Sequence, residues 1–88
     1  MQFSLEIVNE KGLHARASAK FVETVERFDA SALVSRDGME VSGDSIMGLM
    51  MLAASRGTSI EVRVEGSQAC ELAEALHALV TGRFGEPS

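Results

Sequence analysis

TSIEVRVEG, residues 58–66, places Ile60, Val62 and Val64 on one face of an extended chain and Glu61, Arg63 and Glu65 on the other. A period of two at this length marks a strand with one side in a core and the other in water. A sheet made of such strands is covered on one face only. Working outward, FSLEIV (3–8) repeats the pattern, with Phe3, Leu5 and Ile7 alternating against Ser4 and Glu6. SALVSRDGMEV (31–41) reads as a hairpin, because Asp37-Gly38 suits a two-residue turn with positive φ and sets Val34 opposite Val41.

The intervening stretches carry the helical period. Phe21, Val22, Val25 and Phe28 line one face of a helix over 15–28 that starts at or beside His14. SGDSIMGLMMLAASRG (42–57) predicts a short second helix, opened by small polar residues and closed by Gly57. Ser67 is placed to cap a third helix, whose stripe of Ala69, Leu72, Ala73, Leu76, Leu79 and Val80 ends before Gly82. Residues 82–88 read as a flexible, frayed tail. The order strand, helix, strand, strand, helix, strand, helix, with a central hairpin, predicts an α+β fold. Its largely antiparallel sheet has helices on one face.

At 88 residues the chain is read as a single domain, 1–88, because two separate cores would each be too small. Thirteen acidic against eight basic residues give a formal charge of −5 with no basic stripe, which argues against a nucleic-acid partner. No apolar run approaches the roughly 20 residues of a membrane span, and the N-terminus lacks the pattern of an export signal. One cysteine, Cys70, can close no internal disulfide and has no partner at metal-ligand spacing, so a reducing cytoplasm is expected, with no metal and no cofactor.

His14, one of two histidines, sits in EKGLHARASAKF (10–21). A neutral imidazole has an exposed lone pair and is a nucleophile near neutral pH. The first N–H groups of a helix lack intrahelical partners and the helix dipole is positive there, so the position suits an anion. Arg16 adds a permanent charge with a fork of donors that matches phosphate oxygens. Gly12 lets the backbone of the preceding turn come close. The plainer reading, a histidine that caps a helix beside a solvated arginine, fits these local features equally well.

GLHARASAKF resembles the active-site signature of the histidine-containing phosphocarrier (HPr/NPr) family of the bacterial phosphoenolpyruvate-dependent phosphotransferase system. The second motif, GDSIMGLMMLA, the length and the element order agree with it over almost the whole chain. The resemblance implies an open-faced β-sandwich with sheet order 1-4-2-3 and three helices on one face. It implies a carrier without autonomous turnover. His14 would take a phosphoryl group on Nδ1 from enzyme I and pass it to a IIA-type protein, with Arg16 holding the phosphate. Ala17 departs from the family pattern, which has proline there. Alanine restores an N–H and loosens the helix start.

In the same comparison Ser45 matches a serine phosphorylated by HPr kinase/phosphorylase in many bacteria, besides being a good helix cap. Ile46, Met47, Leu49, Met50, Met51 and Leu52 leave more apolar surface than one buried face needs. Ile46, Met47, Met50 and Met51 are therefore expected to form a docking patch for both donor and acceptor. His77 and Cys70 are expected on the helix surface, and Asn9, Lys11 and Lys20 as a turn former and solvated charges. Topology alone leaves open a small ligand-binding domain or an acyl-phosphate hydrolase, which would turn over unaided. The motif fits both a sugar-transport and a nitrogen-related branch of the family.

Overall fold

A computed structural model describes every residue from Met1 to Ser88. The chain runs β1 (Gln2–Glu6), α1 (Ala15–Glu26), β2 (Ser31–Arg36), β3 (Met39–Ser42), α2 (Ile46–Met51), β4 (Ser59–Glu65) and α3 (Ala69–Thr81). The four strands form one antiparallel sheet in the order β1-β4-β2-β3, as the resemblance implies. The segment with the strongest alternation, β4, lies between β1 and β2, with Val62 opposite both Phe3 and Val34. Asp37 and Gly38 turn the hairpin at φ 51° and 82°, and Val34 faces Val41.

The inward side chains Leu5, Ala32, Val34, Ile60, Val62 and Val64 join the buried faces of α1 and α3 in a single hydrophobic core of 20 residues. The strand residues between them stay in water: Ser4, Glu6, Glu61, Arg63 and Glu65 are all exposed. One covered face and one wet face are what the period of two requires.

Three local expectations are corrected. The second helix does not extend to Gly57. It is capped at Leu52, and Ala53 turns the chain at φ 51° because Leu52 and Ala54 must both be buried. Ser67 does not cap α3; Gln68 occupies that position, and the Ser67 hydroxyl instead donates to the Asp29 carboxylate at 2.5 Å.

The third correction concerns residues 82–88, which are packed rather than frayed. Arg83, Phe84 and Gly85 make one left-handed turn (φ 60°, 55° and 78°), and Phe84 is fully buried. Burying a phenylalanine side chain contributes about 1.5–3 kcal/mol, comparable to the roughly 2–4 kcal/mol that two non-glycine residues in left-handed geometry cost. Lys20 Nζ donates to the Phe84 carbonyl at 2.5 Å, and the Glu10 amide to the Ser88 carbonyl at 3.1 Å. The chain end is thereby tied to the loop before α1.

Candidate functional site

The loop between β1 and α1 is built around Asn9 and Gly12. Asn9 is fully buried and its Nδ2 donates to the Gly12 carbonyl at 2.8 Å, while the Gly12 amide donates back to the Asn9 carbonyl at 3.2 Å. Gly12 has φ 68°, and a Cβ there would lie 2.6 Å from the Ala54 carbonyl oxygen. Conformation and close approach both require glycine. The same Ala54 carbonyl accepts from the Leu13 amide at 2.9 Å, so the turn that follows α2 clamps the loop. Buried Leu13 then leaves His14 facing outward, with its side chain 28% exposed.

His14 is the N-cap of α1, with extended backbone (φ −77°, ψ −177°). Its carbonyl accepts from the Ser18 amide at 2.8 Å and its Nδ1 from the Arg16 amide at 3.3 Å. On the other side of the ring, Nε2 lies 2.5 Å from Glu86 Oε2. Glu86 Oε1 accepts from Asn9 Nδ2 at 3.0 Å. Partial burial alone would raise the Glu86 carboxyl. The hydrogen bonds from His14 and Asn9, with the charges of His14 and Lys11, outweigh it and hold the group below its ordinary value of 4.5.

Glu86 is therefore ionised at neutral pH and can only accept, whereas the Arg16 amide can only donate. Both neighbours demand the same ring tautomer, with the proton on Nε2 and a lone pair on Nδ1. The Arg16 side chain is exposed and makes no hydrogen bond within the protein. With Lys11, His14, Glu86 and Ser88 it lines an open cleft of about 490 Å³. A larger groove of about 770 Å³ between α1 and α3 lies away from His14.

Ser45 caps α2, its Oγ accepting from the Gly48 amide at 2.9 Å. Beyond it the helix divides: Leu49 is fully buried, while Ile46, Met47, Met50 and Met51 are exposed by 40%, 73%, 41% and 64%. A helix sealed on all sides is thus ruled out, and α2 packs beside α1, whose start carries His14. Cys70 is exposed, and His77 stacks on Phe3 with ring centroids 4.8 Å apart.

Asn9 forms the turn as expected, from a fully buried position, whereas Lys20, expected as a solvated charge, is half-buried and tied to the chain end. Glu86 escaped notice in the sequence. The one available signal was Phe84, a lone aromatic in an otherwise polar tail, whose burial carries Glu86 to the ring.

Fold and site together describe a small open-faced sandwich that presents one partly exposed histidine at a helix start. A family model described as "PTS HPr component phosphorylation site" matches residues 1–82. The phosphocarrier protein HPr of Neisseria meningitidis (serogroup A) is 49% identical over 83 residues, covering 94% of this chain and 93% of its own. That of Xylella fastidiosa (strain Temecula1) is 44% identical over 86 residues, covering 98% and 97%. Among solved structures, HPr from Thermoanaerobacter tengcongensis superposes with a TM-score of 0.94 at 38% identity, covering 100% of this chain and 99% of that one. This chain belongs to the HPr family of the phosphotransferase system, whose members are phosphocarriers and not enzymes. The hydrolase and ligand-binding readings fall away with that membership.

Proposed function

We propose that His14 is the carrier residue, accepting a phosphoryl group on Nδ1 from enzyme I and handing it to the histidine of a IIA-type protein in the cytoplasm. The observation that carries this reading is the orientation of the ring: Nδ1 accepts from the Arg16 amide at the helix start, and the Arg16 side chain lines the same cleft. Incoming phosphate oxygens would replace Nδ1 as acceptors of the Arg16 amide and recruit the guanidinium. Phosphoryl transfer needs in-line positioning and charge stabilisation, and a helix start with one arginine supplies part of each. The partner's site supplies the remainder, which suits a carrier that must also release its cargo.

The exposed methionines of α2 and Ile46 lie on a helix that packs against α1, and their flexible apolar side chains suit a patch that meets donor and acceptor in turn. Ser45 caps α2 beside Ile46, at the edge of this patch. A phosphoryl group on its Oγ would add about two negative charges there, which the start of α2 tolerates and which change the surface that partners meet. Ser45 thus serves as the regulatory position for an HPr kinase/phosphorylase.

Incubation with enzyme I and labelled phosphoenolpyruvate is expected to place one acid-labile label on the wild type and none on His14→Ala. Label retained by a folded His14→Ala chain would overturn the assignment. A kinase of that class that leaves Ser45 unmodified would remove the regulatory part alone.

A further inference from the structure

The carrier reading leaves unused the carboxylate behind the ring. Glu86 is only 14% exposed in its side chain, and its placement depends on several separate anchors. Phe84 is buried, Lys20 holds the Phe84 carbonyl, Ser88 is bonded to Glu10, and Asn9 grips Oε1 with the same amide nitrogen that braces Gly12. The turn presenting His14 and the carboxylate touching it are parts of one hydrogen-bonded unit.

We infer that Glu86 is a positioning residue for phosphoryl transfer at His14, acting through the ring; this rests on the carrier reading of His14. Its first effect is on the proton. An ionised carboxylate at Nε2 keeps hydrogen on that nitrogen, so the lone pair stays on Nδ1, where a phosphoryl donor can reach it.

Its second effect is on charge. As the Nδ1 lone pair becomes the new N–P bond, the donor's bond to phosphorus breaks and its electron pair leaves with the donor. No proton departs from Nε2, so the ring gains one positive charge, which Glu86 faces directly. On onward transfer the N–P electron pair returns to Nδ1 and the ring leaves as neutral imidazole. Glu86 orients and stabilises in both directions without ever taking the proton, the part played by a buried aspartate behind a catalytic histidine. The ring separates the carboxylate from the transferred group, and Lys11 and Arg16 in the same cleft offset their mutual repulsion.

The test uses the full chain with ring-labelled histidine, as wild type, Glu86→Gln and Glu86→Ala, phosphorylated by potassium phosphoramidate without partner proteins. Glutamine can still accept from Nε2–H but carries no charge, whereas alanine removes both effects. Nitrogen NMR is expected to find the neutral ring protonated on Nε2 in the wild type and Glu86→Gln, and a mixture of tautomers in Glu86→Ala. The rate of labelling at His14 is expected to fall about tenfold in Glu86→Gln, the low end of what a hydrogen bond to a charged group contributes, and at least as far in Glu86→Ala. Equal rates in all three chains, or a wild-type ring protonated on Nδ1, would overturn the role of Glu86. Failure of the wild type to take label at all would instead overturn the carrier reading beneath it.

Discussion

Gly12→Ala compared with Gly38→Ala separates the conformational cost of the active loop from its steric cost. Both glycines have positive φ, 68° and 82°, but a Cβ at Gly38 meets nothing within 4 Å while one at Gly12 lies 2.6 Å from the Ala54 carbonyl oxygen. Left-handed geometry alone penalises alanine by about 1–2 kcal/mol, and Gly38→Ala should lose no more than that. At Gly12 the added methyl must also push away a carbonyl that accepts the Leu13 amide at 2.9 Å. Overpacking and a weakened hydrogen bond bring the total to roughly 2–4 kcal/mol. For a domain of this size, each kcal/mol lowers Tm by about 4–8 °C, so Gly12→Ala should melt roughly 8–32 °C below wild type. Urea unfolding at neutral pH, followed by far-UV circular dichroism, measures both variants on one scale. If Gly12→Ala loses no more stability than Gly38→Ala, then the Ala54 carbonyl does not hold the loop, and the account of how His14 is presented fails with it.

Phe84→Ala should cost about 2–3 kcal/mol, less than a typical phenylalanine truncation because release of the chain end relieves the left-handed Arg83 and Phe84. The same variant should reproduce the mixed ring tautomers of Glu86→Ala, since Glu86 leaves with the tail; an unchanged ring spectrum would show that Phe84 does not position it. The Glu86 carboxyl is lowered on folding, so its contribution to stability is fully present above its unfolded value of 4.5 and is lost as pH falls through the folded value beneath that. The stability difference between wild type and Glu86→Gln, measured by urea unfolding across an acid series, should persist down to pH 4.5 and shrink below it. Ala17 occupies the first turn of α1, and its amide bonds no acceptor within the protein. Ala17→Pro should therefore keep His14 labelling and stay within about 1 kcal/mol of wild type; loss of label in a folded Ala17→Pro chain would contradict this geometry.

The sheet and the site were legible in the sequence to different depths. The alternation through 58–66 identifies a strand with one wet face, and the helical stripes show which helix sides are buried. Strand order is a separate matter, because nothing in a period of two says that β4 sits between β1 and β2; that came with the family resemblance. His14, Arg16 and Gly12 were readable because they lie within a few residues of one another, where helix-start physics acts locally. Glu86 was not, since it meets His14 across 72 positions. Its carboxylate arrives only because Phe84 needs a core and Lys20 and Asn9 need acceptors. The same cause explains Ser67, diverted from the cap of α3 by Asp29, which lies 38 residues away. In this protein the presentation of His14 at a helix start is set by local sequence, whereas the group behind the ring depends on packing that closes only when the chain end returns to the loop before α1.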